Sequence, residues 1–256
     1  MRPRKARAPS LVRRIGRPCK EPEASSAEIR PANDPYKPIF DAPPDRPFVV
    51  AQLGQSLDGR IAAASGESRY INGPGALDHL HRLRALCDAV VVGAGAVIAD
   101  DPLLTVRRVE GRNPARVVID PSYRVPSAAR CLAPDGTRRI VVTAAKAEAP
   151  PGVELLNIPL TNATMSCKAI VSELFNRGLR RVLIEGGAAT VSAFISEDAV
   201  DRLHVLVAPL ILGSGKIGIE LPNILSLGEA RRPEVQIYCL GEGDVLFDCD
   251  MRSRKA

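Results

Sequence analysis

The stretch RRVLIEGGAATVSAFISEDA, residues 180–199, decides the fold class. Its first half is a short apolar run of the kind found in strands covered on both faces. Gly186 and Gly187 break that run, and the remainder has the spacing of an amphipathic helix. A strand that passes into a helix through two glycines is one half of a layered α/β unit. The bared N–H groups at such a helix start carry partial positive charge and receive anions. The small residues Gly186, Gly187, Ala188 and Ala189 allow a phosphate or diphosphate to approach, and Thr190 offers a hydroxyl. A compact turn with no ligand is the equal alternative from spacing alone.

Outward from this unit the pattern repeats. Apolar runs at 47–54 (PFVVAQLG), 88–95 (DAVVVGAG), 115–120 (ARVVID), 138–144 (RRIVVTA) and 202–212 (RLHVLVAPLIL) read as strands. Helical spacing appears at GPGALDHLHRLRALC, with Asn72 as N-cap and Leu77, Leu80, Leu83 and Cys87 on one apolar face. A second helix, CKAIVSELFNR, follows a capping Ser166 and stops at Gly178. The closing stretch PEVQIYCLGEGDVLFDCD reads as paired strands around Gly241 and Gly243. The expected fold is a three-layer α/β domain with a mixed, mostly parallel sheet and an antiparallel edge.

Composition narrows the functions. Of the net charge of +6, a balance of +5 belongs to residues 1–46, which hold eleven Lys/Arg, six Asp/Glu and nine of the 22 prolines. That segment reads as a disordered basic arm, a solvated tail rather than a targeting peptide, with the domain at 47–256. A nearly neutral body argues against a nucleic-acid-reading surface. No apolar run of eighteen residues exists, so no membrane-spanning helix is expected. The six cysteines form no C-x-x-C pair, which suggests free thiols and a cytoplasmic setting. The three histidines and the cysteines make no zinc-deaminase signature, and no metal site is expected.

Two further glycine clusters carry less. Gly213-Ser-Gly215-Lys-Ile-Gly218 fits a dinucleotide fingerprint literally, but no long helix follows it, so it reads as a tight turn. Gly93-Ala94-Gly95-Ala96 lacks the third glycine, yet permits close approach of a planar ligand. Polar residues gather near these loops: Glu185 at a strand end, Asp100 and Asp101 after GAGAVIA, Ser56 and Asp58 after the first strand, and Arg84 and Arg107. Strand ends are where open α/β sheets place ligands. Taken together these residues suggest an anionic ligand part held by arginine and a hydrogen-bonding part held by carboxylates.

At these motifs the sequence resembles the reductase domain of the bifunctional riboflavin-biosynthesis deaminase–reductase and its single-domain pyrimidine-reductase relatives. SLDGRIAAASGESRYI (56–71), GAGAVIADDPLLTVR (93–107), VLIEGGAAT (182–190) and APLILGSG (208–215) carry the resemblance, which spans about residues 47–250. It implies a dihydrofolate-reductase-like fold, NADPH as cofactor, a homodimer, and reduction of a phosphoribosylamino-pyrimidine to its ribitylamino form. It places Ser68, Arg84, Leu104, Arg107 and Glu185 at the substrate. Gly54, Tyr70, Ala96, Asp100 and the loop from Gly187 onward fall at the cofactor. Tyr70 stands where the family commonly has Trp, Ala96 where it has Thr, and Gln52 where bifunctional members carry Lys.

On this reading Arg84 and Arg107 grip the ribose phosphate, since guanidinium groups present paired donors. Glu185 accepts hydrogen bonds from the pyrimidine or a ribose hydroxyl. Asp58 is a weaker candidate for proton handling, and no general acid is assigned; a water can serve. A dihydropterin or dihydrofolate reductase of the same fold is the second reading, disfavoured because it does not need both arginines. A non-enzymatic scaffold, with the arm binding nucleic acid or an acidic partner, is the third.

Overall fold

In a computed structural model, which describes residues 34–69 and 71–252, the apolar runs become strands for the reason the sequence suggests: they are covered on both sides. In chain order the elements are α1 (Lys37–Phe40), β1 (Phe48–Ser56), β2 (Arg60–Ala62), α2 (Pro74–Leu86), β3 (Ala89–Gly93), α3 (Ala94–Asp100) and β4 (Ala115–Ile119). There follow β5 (Arg139–Thr143), β6 (Val153–Asn157), β7 (Leu160–Thr161), β8 (Thr164–Met165), α4 (Cys167–Asn176), β9 (Arg181–Glu185) and α5 (Ala188–Ser196). The chain closes with β10 (Arg202–Ala208), β11 (Lys216–Ile217), β12 (Glu234–Cys239) and β13 (Val245–Asp250).

The main sheet has nine strands in the order β12-β13-β10-β1-β9-β3-β4-β5-β6. The seven from β10 to β6 pair in parallel. β13 and β12 add the antiparallel edge. One face packs Val49, Ala51, Ile184 and Val91 against α4 and α5. The other packs Val50, Leu183, Val90 and Val92 against Leu83 of α2 and Val97 of α3. This is the expected three-layer α/β arrangement.

The order of the connections locates the site. After β3 the chain moves through α3 to β4; after β9 it moves through α5 to β10, on the other side. The two paths leave adjacent parallel strands in opposite directions, and a crevice opens between their carboxyl ends.

The structure departs from expectation in several places. Residues 34–46 are not all arm: α1 buries Ile39 completely in the core, and Asp34 holds the Tyr36 amide at 2.9 Å. One apolar residue among prolines gives no periodic signal, although it suffices to anchor a turn. The remainder of the arm, residues 1–33, lies outside the described residues. On α2 the buried face carries Ala76, His79, His81, Leu83 and Arg84, while Leu77 is exposed. Its N-cap is Gly73, not Asn72, and Asp244 accepts the Gly73 amide at 2.7 Å in place of a local cap. The free-thiol reading holds for Cys87, Cys131, Cys167 and Cys249, all buried. Cys239, at the exposed end of the edge strand, is disulfide-bonded. Among the described residues no helix is long and apolar enough to cross a membrane.

Candidate active site

A cavity of about 510 Å³ fills the crevice between β3 and β9. Its floor is Gln52 of β1 and Glu185 of β9, which are direct register partners and so share a face of the sheet. Its sides are the starts of α3 and α5, the segment after β2 with Ser68, and the strap Pro102–Leu104.

Small residues create the opening. A Cβ on Gly93 would lie 2.5 Å from Thr190 Oγ1, so glycine at the end of β3 lets the start of α5 sit against it. A Cβ on Gly54 would lie 2.1 Å from Asn72 Oδ1. At Gly187 and Gly95 a Cβ would meet no heavy atom within 4 Å. Gly187 is the N-cap of α5 and has no side chain to close the helix start. Thr190 N turns back onto Gly187 O at 3.1 Å, while Ala188 and Ala189 line the cavity. A second uncapped start, that of α3 at Gly93, lies beside it. The donor set suits an anion bridged between the two turns.

Glu185 is held by Arg84. Arg84 Nε donates to Oε2 at 2.8 Å, and its Nη2 donates to Oε1. Arg84 Nη1 donates to the Thr105 carbonyl at 3.0 Å. Arg84 is only 5% exposed and does not line the cavity, so its expected place on the ribose phosphate is not what the geometry offers. From a buried position it grips the Glu185 carboxylate and orients it. The sequence could not reveal this, because the pair spans 101 residues. Arg107 is exposed and donates through Nη1 to Thr105 Oγ1 at 2.6 Å. Its backbone N–H donates to His81 Nδ1 at 2.9 Å. Burial first, and then the Arg84 and Arg107 charges, push His81 down to about 4, so the imidazole is neutral and Nδ1 is its acceptor.

Asp58 does not fit the proton-handling role. Its carboxylate accepts from Ser56 Oγ at 2.6 Å, from Leu212 N at 3.1 Å and from Gly213 N at 2.7 Å. These bonds, that from Ser56 foremost, bring it down to about 2. Asp58 therefore ties the turn after β1 to the 212–213 loop and is absent from the cavity wall. Ser68, Leu104, Gly54, Ala96, Asp100 and Gly186–Thr190 all line the cavity, whereas Tyr70 lies outside the described residues. Leu104 is 1% exposed and adopts φ 57°, a conformation that costs a branched side chain. Lys216, read as part of a tight turn, also reaches the wall. The signal was out of reach, because β11 meets β2 only through long-range pairing of Lys216 with Ala62.

A buried polar chain fixes α2, and with it Arg84. Tyr36 Oη lies 2.8 Å from His79 Nδ1, and His79 Nε2 lies 3.0 Å from His204 Nδ1. His204 Nε2 lies 3.1 Å from Asp248 Oδ1, which also accepts from Arg202 Nε at 2.9 Å. With His79 neutral, Tyr36 Oη donates to its Nδ1, and its Nε2 donates to His204 Nδ1. Burial, followed by the neighbouring His204, holds His79 well below the usual histidine range. His79 and His81 are thus kept neutral in the fold, while in the unfolded chain they bind protons below about pH 6.5. Stability is then fully present above that pH and declines as pH falls toward the folded-state values. Thermal unfolding followed between pH 7.5 and 4.5 is expected to show this decline. The His79→Gln variant is expected to show a shallower one, and an identical slope would refute the assignment.

A second cavity, about 440 Å³, lies at the amino ends of β1 and β10, under α4 and α5. Asp201 lies on its wall, with Arg46 and Arg252 paired to it, far from the crevice.

Residues 47–243 match the model of the RibD C-terminal domain. The chain belongs to this family. It is 34% identical over 209 residues to the 2,5-diamino-6-ribosylamino-4(3H)-pyrimidinone 5′-phosphate reductase of Methanothermobacter thermautotrophicus, covering 77% of this chain and 95% of that one. It is 33% identical over 210 residues to the riboflavin biosynthesis protein RibD of Aquifex aeolicus, covering 79% of this chain and 58% of that protein. Among solved structures, the deaminase/5-amino-6-(5-phosphoribosylamino)uracil reductase of Thermotoga maritima superposes with a TM-score of 0.69 at 31% identity. That match covers 80% of this chain and 57% of the Thermotoga chain. The RibD-family chain thus spans less than two thirds of the Aquifex and Thermotoga proteins, and nearly all of the Methanothermobacter one.

Proposed function

We propose that this RibD-family chain is an NADPH-dependent reductase that converts a 5-phosphoribosylamino-pyrimidine to its ribitylamino form in riboflavin biosynthesis. The observation that carries the reading is the pairing of an uncapped helix start, α5 at Gly187, with a carboxylate two residues away, Glu185, on one cavity wall. The start of α5 would hold the cofactor diphosphate, and Glu185 would hold the substrate. When bound, the dinucleotide supplies hydride to the ribosyl carbon of the ring-opened imine, whose nitrogen takes a proton.

The chain's own part is positional. Arg84 fixes the Glu185 carboxylate so that both oxygens face a set direction, and their remaining lone pairs accept from pyrimidine N–H groups or a ribose hydroxyl. Arg107, exposed and tied to Thr105 just after the cavity-lining Leu104 although not itself on the wall, would take the substrate phosphate. With Asp58 committed to its loop, a water remains the proton donor. The direct experiment incubates the protein with NADPH and each phosphoribosylamino-pyrimidine, deaminated or not, alongside dihydropterin and dihydrofolate, and follows oxidation of the nicotinamide. Turnover of a pyrimidine phosphate is expected; turnover of the pterin or folate alone would overturn the reading.

The chain acts in the cytoplasm as a homodimer on this reading, with the β12 edge as the interface. Ile237 on β12, the terminal strand of the sheet, is exposed at 62%, and Leu225 and Leu227 in the segment that precedes β12 are exposed at 97% and 78%. An apolar edge strand of this kind invites pairing. Leu225→Asp combined with Ile237→Asp is expected to halve the mass measured by light scattering. A wild-type monomer at micromolar concentration would rule the interface out.

A further inference from the structure

Among the described residues, the wall of the crevice cavity carries three ionisable side chains: Asp100, Glu185 and Lys216. Arg84 already balances Glu185, so Lys216 is the one cation on a wall that holds two carboxylates. Lys216 is exposed, and among the described residues no hydrogen bond or ion pair engages its ammonium. The loop that carries it is tied to the hairpin after β1. Leu57 N donates to Leu210 O at 2.9 Å, Arg60 Nε to Gly213 O at 3.0 Å and Gly218 N to Gly59 O at 3.0 Å. β11 pairs Lys216 with Ala62, and a Cβ on Gly215 would lie 2.2 Å from the Ala62 carbonyl oxygen, so glycine there lets the two strands close. The same loop then runs to α5. Glu220 N donates to Ser192 Oγ at 2.9 Å, and Ile219 packs on the core cluster that holds Val191 and Ile195. Four residues reach at most about 14 Å, which puts Lys216 on the α5 side of the crevice. Leu83 and Leu104 belong to the core on the other face of the sheet.

We infer that Lys216 is a cofactor-binding residue whose ammonium meets the dinucleotide diphosphate at the start of α5. This inference rests on the reductase reading and adds a residue to it. A helix start supplies about half an elementary charge. The diphosphate brings a negative charge on each phosphate toward a wall that already carries Asp100 and Glu185. A full positive charge beside the α5 amides offsets that repulsion, and Lys216 is the wall residue that supplies one. Lysine suits the task, because its flexible stem and three rotatable donors follow phosphate oxygens as a point charge. The backbone ties to β2 fix where that stem begins, while the ammonium, unengaged, is free to turn to the ligand.

The test titrates wild type, Lys216→Ala and Lys216→Arg with NADPH and with NADH, following nicotinamide fluorescence at low and high salt, so that no turnover is required. Lys216→Ala is expected to raise Kd for both dinucleotides alike, by about tenfold, since both carry the diphosphate. Lys216→Arg, which keeps the charge, is expected to recover most of the loss. Added salt is expected to weaken wild-type binding more steeply than binding by Lys216→Ala, because the variant has lost one charge from the contact. A lysine with a merely structural role would leave that salt dependence unchanged. Equal affinities for the three proteins, or equal salt dependence, would overturn the inference. A loss confined to NADPH would overturn it as well, by moving Lys216 to the 2′-phosphate. A wild type that binds neither dinucleotide would overturn the reductase reading and the inference with it, whereas tight wild-type binding matched by Lys216→Ala would overturn the inference alone.

Discussion

Glu185→Gln is expected to lower turnover about a hundredfold, the range in which a positioned acid–base or hydrogen-bonding carboxylate contributes. Gln keeps the size of the side chain and one acceptor for Arg84, so the cavity keeps its shape. It loses the second strong acceptor and the charge that opposes Arg84, whose side chain is 6% exposed. Breaking a buried ion pair by removing one partner costs about 3–5 kcal/mol when nothing replaces it. Here the amide oxygen and the Thr105 carbonyl remain, so the loss is smaller and fits within the stability of an ordinary domain, about 5–15 kcal/mol. Turnover normalised to folded protein, with folding checked by circular dichroism, separates the two effects. A fully active variant would remove Glu185 from the site.

Gly187→Asp is expected to move stability and function in opposite directions. At φ −66° and ψ 164° the backbone is ordinary extended chain, open to any residue. The added Cβ meets nothing within 4 Å. Asp is also a good N-cap, worth a few tenths of a kcal/mol over Gly. The melting temperature should therefore hold or rise slightly. NADPH affinity should fall by about a hundredfold or more, because a fixed carboxylate would occupy the place of the diphosphate and like charges in contact cost several kcal/mol. Gly187→Ala, which adds bulk without charge, should have a much smaller effect. If Asp and Ala at this position are equally harmless to binding, no anion docks there.

The sequence carried much of this site because its central unit is local. β9, two glycines and α5 are contiguous, and an apolar run followed by small residues can be read without knowing what packs on it. The same holds for Ser166, which accepts the Ala169 amide at 3.3 Å, and for Gly178 at φ +80°. What stayed hidden depends on contacts distant in the chain. The pairing of Arg84 with Glu185, the capture of Asp58 by the 212–213 amides and the capping of α2 by Asp244 each join segments more than 100 residues apart. An arginine poised for phosphate and one buried under a carboxylate look alike in sequence. The apolar face of α2 holds at Leu80, Leu83 and Cys87 and fails only at Leu77, while the burial of His79, His81 and Arg84, which depends on their partners, goes against the ordinary preference of polar residues for water. β6 escaped because it is a short edge strand between prolines whose burial does not follow the two-residue alternation of a strand.

A diphosphate docked at the start of α5 is the central requirement of the proposed reaction. A crystal structure of the protein with NADPH tests this most directly. Diphosphate oxygens within hydrogen-bonding distance of the Ala188 and Ala189 amides, with the nicotinamide ring over the Gln52–Glu185 floor, are the predicted result. A dinucleotide seated instead in the cavity at the amino ends of β1 and β10, with the α5 start untouched, would contradict it.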